Sequence, residues 1–498
     1  MFETLNIPQK NLKYEQPLGL FINNEFVVSS DNSKIETVNP ATGEKITAFH
    51  AASKSDVDKA VKAAREAYET KWSKTSAEER GILLAKLCDL IEQEKHLLAA
   101  IETLDSGKPY ESNALADLEQ IIQCTRYFAG AADKYTKGEM IPLTHDKYAY
   151  TIKSPYGVVA QVIPWNYPLA MASWKIQSCL AAGNTIIIKP AENTSLSLLY
   201  LAQLFKKAGF PAGVLNVVPG YGDVVGSELA THPDVDKIAF TGSTAVGQKI
   251  MQMASSTLKA VTLECGGKSP AVVFEDANLD EAVKWTAAGI FYNSGQNCTA
   301  NSRIYVQESV YDKFLEKFTQ FTESEWNFGA SCDPFEEACK VGPLISQTQY
   351  DRVTGFINHG KEVEKLNIKQ MGKPVDKGYF VPPTIFTDVP QTSKLVRDEI
   401  FGPVAIVAKF KDYDEAMKLS NDTSYGLASA VFTEDIRKAH QFARDIKAGT
   451  CWVNSSNDEE VSVPFGGFKM SGIGRELGQS GVDAYVQTKA VHMNISKL

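Results

Sequence analysis

The chain has 498 residues, of which 44% are hydrophobic and 22% are charged, and its formal net charge is −9. These values are ordinary for a soluble globular protein and suggest roughly three domains. The acidic balance without a long Lys/Arg run argues against nucleic acid as a partner. No apolar run approaches the ~20 residues that a membrane span needs.

The cysteines and the N-terminal stretch narrow the class of protein. Eight cysteines are scattered without a CxxC pair, which predicts free thiols and no metal site. The stretch MFETLNIPQKNLKYEQPLG has neither an apolar signal core nor an Arg-rich presequence. We therefore expect neither secretion nor mitochondrial import.

Helices are predicted for the first part of the chain. An apolar stripe over residues 55–70 predicts an amphipathic helix with Ser55 as its N-cap and Asp58 three residues later, and more helix follows to about Lys134. From Tyr156 onward, short β-branched runs alternate with helix-length segments. The runs are GVVAQVI, NTIIIKP, VLNVVPG, DKIAFTG and KAVTLECGG. This alternation predicts a parallel sheet, whose ligands bind at the carboxyl ends of its strands.

A second alternating series begins at Ser269. It runs through SPAVVFE, RIYVQ, GPVAIVAKF, SAVFT and GTCWVN, and it predicts another α/β domain. Two stretches outside both series, YAYTIKSPYG and DAYVQTKAVHMNI, also alternate like strands. Together they predict a small projecting sheet, which is more often an oligomer contact than an independent unit.

Glycine clusters and one cysteine are the first candidates for chemistry. PGYGDVVG misses the dinucleotide-binding spacing by one residue, FTGSTAVG lies between a strand and a helix, and SGIGRELG has poor strand context. Each taken singly is compatible with a turn or with a phosphate site. Cys298 lies in YNSGQNCTANSR among small polar residues. On this stretch alone, a presented thiol and an ordinary surface loop are both possible.

Seven motifs occur in order along the chain. They are IPWNYP, KPAENT, FTGSTAVG, LECGGKSP, GQNC, EIFGPV and PFGGFKMSGIGRE. In this set and order, the chain resembles the NAD(P)-dependent aldehyde dehydrogenase superfamily over essentially its whole length. Within it, the chain is most similar to the cytosolic aldehyde dehydrogenases of yeasts, some of which are linked to oxidation of 3-aminopropanal to β-alanine.

The resemblance implies an α/β fold with three parts. A Rossmann-like NAD-binding domain is expected over residues 8–135 and 156–266. An α/β catalytic domain is expected over 267–470, and a small β oligomerisation arm over 136–155 and 480–498. The arm implies a homodimer or a homotetramer.

Three residues match the family's catalytic groups. Cys298 matches the nucleophile that attacks a small-molecule aldehyde, and Glu264 matches the general base that activates water for hydrolysis of the resulting thioester. Asn166 matches the oxyanion donor, together with the backbone N–H of Cys298. The chain departs from the commonest family pattern at Cys265 and Asn301, and neither change removes a catalytic group.

The resemblance also implies NAD as the cofactor. Lys189 and Glu192 match the contacts to the adenosine ribose, and the carboxylate would repel a 2′-phosphate, so NADP is less favoured. Ser243 matches a phosphate contact. The other predicted cofactor residues are Trp165, Gly242, Gly247, Glu399 and Phe401.

The substrate side is predicted from an acidic loop. Residues 458–460 are three consecutive acids just before PFGG, where family members place one wall of the aldehyde tunnel. The loop is either a solvated surface segment or a tunnel mouth, through Glu459, for a cationic aldehyde such as 3-aminopropanal. The predicted lining residues are Tyr167, Met171, Trp174 and Tyr292.

Three other functions compete with a hydrolytic dehydrogenase. A CoA-acylating semialdehyde dehydrogenase generally lacks the glutamate at the position of Glu264. A papain-type cysteine hydrolase needs a paired histidine and a CGSCW-like context, and neither is visible. A non-catalytic structural protein on this fold would not need Cys298, Glu264 and Asn166 intact.

The final residues Ser496-Lys497-Leu498 read SKL, a peroxisomal address recognised by an import receptor. The sequence therefore predicts peroxisomal targeting, with the cytoplasm as the alternative.

Overall fold

The computed structural model describes residues 1–329, 331–372 and 375–496. Its strands are β1 Phe2–Ile7, β2 Leu12–Pro17, β3 Leu20–Ile22, β4 Glu25–Val27, β5 Lys34–Val38, β6 Lys45–His50, β7 Met140–Thr144, β8 Lys147–Pro155, β9 Val158–Val162, β10 Thr185–Lys189, β11 Leu215–Val217, β12 Lys237–Thr241, β13 Ala260–Glu264, β14 Pro270–Val273, β15 Arg303–Gln307, β16 Asn367–Gln370, β17 Thr384–Thr387, β18 Val404–Phe410, β19 Ala428–Phe432, β20 Thr450–Val453, β21 Gly472–Ile473 and β22 Val486–Asn494.

The helices follow the same chain order. They are α1 Lys54–Thr70, α2 Ala77–Gln93, α3 Lys95–Ser106, α4 Leu115–Ala131, α5 Pro168–Ala181, α6 Leu196–Ala208, α7 Ser227–Thr231, α8 Thr244–Ala254, α9 Leu279–Phe291, α10 Tyr311–Glu325, α11 Gln347–Asn358, α12 Lys394–Arg397, α13 Tyr413–Asn421, α14 Ile436–Asp445 and α15 Gly478–Asp483. Among the residues that the structure describes, no helix is both long and apolar enough to cross a membrane.

The first sheet has eight strands in the order β21-β13-β12-β9-β10-β11-β3-β4. The five strands predicted from the alternating runs, β9 to β13, are adjacent and mutually parallel. Burial on both faces explains their continuous β-branched sequences, since helices cover both faces of a parallel sheet. Antiparallel strands β21 and β3 flank this parallel core.

The second sheet has seven strands in the order β16-β17-β18-β15-β14-β19-β20. The five strands of the second predicted series, β14, β15, β18, β19 and β20, are confirmed as parallel neighbours. The pair β16 and β17 was not predicted. These strands are only four residues long and lie on one edge of the sheet, so they give little periodic signal.

The projecting sheet is also confirmed. Strand β22 pairs antiparallel with β8 over nine residues, and β7 adds a third strand. The division of the chain into NAD-binding, catalytic and oligomerisation parts remains a prediction. Strand β21, at residues 472–473, affects where the predicted catalytic part would end. It pairs with β13 of the first sheet although it follows the second sheet in the chain.

The predicted cap of the first helix was wrong by two residues. Helix α1 begins at Lys54 with Ser53 as its N-cap, and the Ser53 N–H donates to the Asp56 carboxylate over 3.0 Å. Asp56 is buried and also accepts from the backbone of Ser30, whereas Asp58 pairs with His232 over 3.2 Å. The predicted spacing of three residues between the serine and the acid was right. Two overlapping pairs have this spacing, Ser53 with Asp56 and Ser55 with Asp58, and the first pair forms the cap.

Candidate active site

A cavity of about 580 Å³ gathers most of the predicted site residues. Its walls include the segments after β9 and β12, the end of β13, and the loop that carries Cys298. All of the predicted residues except Lys189, Glu192 and Gly247 line it. Those that line it are Trp165, Asn166, Tyr167, Met171, Trp174, Gly242, Ser243, Glu264, Tyr292, Cys298, Glu399, Phe401 and Glu459.

The loop before Cys298 is shaped by three consecutive residues with left-handed backbone. Their φ values are +50° at Asn293, +57° at Ser294 and +70° at Gly295. A side chain at Gly295 would place its Cβ 2.1 Å from the carbonyl oxygen of Gly402. The loop is therefore pressed against the backbone of Gly402 and Pro403, and its turn places a partly exposed thiol at the cavity.

Cys298 and Glu264 face each other across this cavity. The Cys298 Sγ lies 3.8 Å from Oε1 of Glu264. Burial raises the pKa of the Cys298 thiol well above its ordinary value, and the carboxylates of Glu264, Glu399 and Glu459 raise it further. The thiol therefore needs a proton acceptor to become nucleophilic, and Glu264 is the carboxylate that contacts it.

Glu264 ends β13 and is connected to a buried polar chain. Thr241 donates to Glu264 Oε2 over 3.2 Å, and Lys175 Nζ donates to Thr241 Oγ1 over 2.6 Å. Lys175 in turn pairs with Glu476. Burial, followed by repulsion from Glu476, raises the pKa of Glu264 to about 7, and Lys175 opposes this rise. A carboxyl group with such a pKa can accept and release protons near neutral pH.

Asn166 is buried beside the nucleophile loop. Its Nδ2 donates to the backbone carbonyl oxygen of Gln296 over 3.0 Å. The backbone carbonyl oxygen of Asn166 accepts from Nδ2 of Asn293 over 2.9 Å. One of the two amide N–H bonds of Asn166 is thus used to fix the side chain. The other is available to a ligand oxygen in the cavity.

Aromatic and acidic groups converge on the opposite side. The rings of Trp165 and Phe401 meet edge to face with centroids 5.4 Å apart, and Phe401 has a left-handed φ of +62°. Oε1 of Glu399 accepts from the Gly267 N–H over 2.9 Å. Gln349 and Arg352 of α11 hold the carbonyl oxygens of Phe401 and Glu399 over 2.7 and 2.6 Å. Helix α11 therefore fixes this segment.

The three predicted cofactor residues that do not line the cavity are Lys189, Glu192 and Gly247. Lys189 Nζ and Glu192 Oε1 form an ion pair over 3.2 Å just after β10. Gly247 lies in α8, where a Cβ would come within 2.7 Å of the Cys265 sulfur. Close packing of α8 against the strand end therefore requires glycine there. Ser243 caps the same helix, since its side chain accepts from the Val246 N–H over 3.4 Å.

The predicted substrate residues line the remaining wall. Trp174 packs edge to face against Phe465 with centroids 5.2 Å apart. Of the three consecutive acids, only Glu459 lines the cavity, together with a second acid, Asp117 of α4. Burial raises the pKa of Glu459 to about 7, and the neighbouring carboxylates of Asp458 and Asp117 add to the effect.

Comparison with known protein families covers nearly the whole chain. The family model described as "Aldehyde dehydrogenase family" matches residues 26–491. The chain belongs to the aldehyde dehydrogenase family. Two Saccharomyces cerevisiae proteins, named aldehyde dehydrogenase NAD(P)+ 1 and 2, are 68% and 65% identical to it, and each alignment covers 100% of this chain and 99% of the relative. The predicted family and enzyme class are confirmed.

Solved structures confirm the aldehyde dehydrogenase fold. An NAD+ complex of the aldehyde dehydrogenase from Bacillus cereus has a TM-score of 0.94 at 44% identity, covering 97% of both chains. A betaine aldehyde dehydrogenase from Staphylococcus aureus in complex with NAD+ has a TM-score of 0.93 at 37% identity, covering 97% of this chain and 96% of that one.

Several residues at this aldehyde dehydrogenase site were not predicted. Glu476 lies inside one of the seven motifs but was not singled out, and Lys175 lies in a helix that carries no other charge. A lone lysine in the middle of a buried helix is itself a signal, since a buried charge needs a partner. Asp117 gave no such signal, because its helix also carries Glu119 and Arg126.

Proposed function

We propose that this enzyme oxidises an aldehyde to a carboxylic acid, with NAD as the hydride acceptor and water as the acyl acceptor. The observation that supports this most directly is the contact of 3.8 Å between Cys298 Sγ and Glu264 Oε1. Glu264 takes the thiol proton as the sulfur bonds to the carbonyl carbon and releases it to solvent. It later takes a proton from the water that attacks the thioester, whose carbon–sulfur bond then breaks. The free N–H of Asn166 and the backbone N–H of Cys298 hold the oxyanion.

The residues beside the cavity fit NAD. When bound, NAD supplies the acceptor for the hydride that leaves the substrate carbon. Glu192 is held by Lys189 after β10, where a carboxylate can accept from both hydroxyls of a ribose. Gly222 lies close to the Glu192 side chain, since a Cβ added to Gly222 would be 3.7 Å from Glu192 Oε1. The Glu192 carboxylate disfavours a 2′-phosphate, although the two yeast relatives carry NAD(P)+ in their names.

The test is formation of NADH from NAD and a short aldehyde, with and without coenzyme A. We expect turnover without coenzyme A and release of the free acid. Replacing the nucleophile, Cys298→Ala, is expected to abolish turnover while NAD binding, measured by calorimetry, changes little. Turnover that requires coenzyme A would instead favour the acylating alternative.

The substrate is proposed to be a cationic aldehyde such as 3-aminopropanal. Four charged groups lie at or behind this wall. Asp117 and the half-buried Glu459 line the cavity, and the buried Lys108 bonds to both Asp117 and the buried Glu102. With every carboxyl ionised, three negative charges face one positive charge. An ammonium group would reduce this imbalance and gain attraction in a poorly solvated tunnel.

Glu459 provides a charge-specific test with a neighbouring control. Glu459→Gln is expected to lower kcat/KM for 3-aminopropanal about tenfold, equivalent to about 1.4 kcal/mol, and to leave an uncharged aldehyde of similar length unaffected. Glu460→Gln is the control, since Glu460 is exposed and lies outside the cavity lining. An unchanged ratio of the two kcat/KM values in Glu459→Gln would reject the charge argument.

Peroxisomal import through Ser496-Lys497-Leu498 also belongs to this proposal. Ser496 is exposed, whereas Lys497 and Leu498 lie outside the described residues. A fluorescent protein fused to the N-terminus should give a punctate signal that becomes diffuse when Leu498 is deleted. A diffuse signal from both versions would assign the enzyme to the cytoplasm.

A further inference from the structure

Asn301 connects the segment that follows the nucleophile to a distant part of the chain. It is one of the two positions where the sequence departs from the commonest family pattern, it lies three residues after Cys298, and it is fully buried. Its backbone N–H donates to the carbonyl oxygen of Gly289 in α9 over 2.9 Å. Its side-chain Oδ1 accepts a hydrogen bond from the hydroxyl of Ser456, which lies 155 residues further along the chain.

Ser456 belongs to a segment that forms one wall of the large cavity. Ser456, Asn457 and Glu459 all line the cavity, and we call residues 455–460 the tunnel wall. In the described part of the chain, the backbone N–H groups of residues 455–459 donate no hydrogen bond to another backbone group. A loop without such bonds is held mainly through its side chains, so the side-chain bonds of the tunnel wall determine its position.

Three side-chain hydrogen bonds attach the tunnel wall to the rest of the protein. Asn457 Nδ2 donates to the carbonyl oxygen of Gly289 over 3.3 Å, and the Trp452 indole N–H donates to the carbonyl oxygen of Asp458 over 3.1 Å. These two bonds fix the wall to α9 and to β20. Among the described residues, the bond from the Ser456 hydroxyl is the one that fixes it to the segment carrying the nucleophile.

Gly289 provides the room for this contact. A Cβ at Gly289 would come within 2.4 Å of Asn301 Oδ1 and within 2.8 Å of Ser456 Oγ. Glycine is a poor helix former, and Gly289 is still within α9. The close approach of the bonded Asn301 and Ser456 side chains to α9 explains why a glycine stands at this position.

We propose that Asn301 is a positioning residue that determines which aldehydes the enzyme selects. Asn301 does not line the cavity, and it acts through Ser456 by fixing the tunnel wall relative to Cys298. A long aldehyde needs a fixed wall along its chain, because a mobile wall must be ordered when the chain binds. A two-carbon aldehyde has no chain to place there. This inference rests on the proposed function, since it takes the large cavity as the aldehyde site.

Chain-length selectivity tests this role with two uncharged aldehydes, so the result does not depend on Glu459. Asn301→Ala and Ser456→Ala are each expected to lower the ratio of kcat/KM for hexanal to that for acetaldehyde at least fivefold, mainly through the KM of hexanal. Ser429→Ala is the matched control. Ser429 is also a buried serine, its hydroxyl donates to the carbonyl oxygen of Thr450 over 3.2 Å, and it lies outside the cavity lining. The control should keep the wild-type ratio.

The outcomes separate this inference from the proposed function. A wild type that oxidises both aldehydes, beside an unchanged ratio in Asn301→Ala, would overturn the role of Asn301 and leave the proposed function intact. A wild type that oxidises neither aldehyde would overturn the proposed function itself, and the selectivity role with it.

A double-mutant cycle and hydrogen exchange distinguish positioning from a general loss of stability. Both single changes remove the same hydrogen bond, so the selectivity ratio of the double variant should fall no further than that of the more affected single variant. The amides of residues 455–459 should exchange faster in both single variants, while the strands of the two large sheets exchange as in the wild type. Losses that multiply in the double variant, or unchanged exchange in the tunnel wall, would overturn the proposal.

Discussion

Glu264 is the residue whose chemistry depends most directly on its burial. Only its carboxylate form can accept a proton from water, and burial raises its pKa from 4.5 to about 7. We therefore expect the rate of thioester hydrolysis to rise with pH through about 7, rather than near 4.5 as for an exposed glutamate. The measurement is steady-state kcat against pH, beside the pre-steady-state burst of NADH.

Glu264→Gln isolates this role. It should slow the steady state by about 100-fold or more, since a general base contributes factors of this size, and slow the NADH burst to a smaller extent, because the thiol loses the same proton acceptor. The pH dependence near 7 should disappear from the residual rate. Glu69→Gln, on the exposed face of α1, is the control. Equal loss of burst and steady state would restrict Glu264 to the first chemical step and remove it from thioester hydrolysis.

The residue-level prediction named groups that lie within motifs, and their roles remain a prediction. Asn166, Glu264 and Cys298 come from three distant segments, and the structure brings all three to one cavity. The chain from Glu264 through Thr241 to Lys175 could not be derived from spacing. Its members meet only because β12, β13 and α5 pack together, and hydrogen bonds between distant segments leave no periodic trace in the sequence.

At the scale of elements, the left-handed turn at residues 293–295 determines where the thiol lies. Gly295→Ala would add a Cβ 2.1 Å from the Gly402 carbonyl oxygen at a φ of +70°. We expect kcat to fall at least tenfold and the Tm to drop, because the loop must move away from the backbone of Gly402 and Pro403. Activity assays and thermal unfolding measure both effects.

Gly130→Ala is the matched control for that turn. Gly130 lies in α4, and a Cβ there would meet no atom within 4 Å. Alanine should stabilise the helix by about 0.5–1 kcal/mol and leave kcat unchanged. Normal activity and Tm in Gly295→Ala would show that the loop tolerates a different backbone, and the role given to the turn would be wrong.

Elements with strong periodicity were predictable, and short edge elements were not. Strands β9 to β13 are buried on both faces, so their runs of β-branched residues stand out from the helices between them. Strands β1 to β6 form hairpins, and apart from the fully buried β3 each strand leaves part of its residues exposed. Their sequences mix polar and apolar residues, and tertiary packing rather than local pattern selects their conformation.

At the scale of the whole molecule, the projecting sheet differs from the two large sheets because several of its apolar side chains are exposed. Met140 and Leu143 of β7 are 67% and 52% exposed, and Ile152 of β8 is 40% exposed. Strands β7 and β22 are the outer strands of this sheet. Apolar side chains beside outer strands favour contact with another copy of the chain, as the sequence predicted.

Charges placed on this sheet test the predicted oligomer. The double change Met140→Glu and Leu143→Glu should lower the mass measured by light scattering, from a dimer or tetramer toward smaller species, because like charges would face a buried contact. Val363→Glu is the matched control, since Val363 is also 67% exposed but lies away from the sheet. The mass of the control should equal that of the wild type. Because no residue of β7 lines the active-site cavity, the smaller species should still bind NAD. An unchanged mass in the double variant would mean that the projecting sheet does not hold the subunits together.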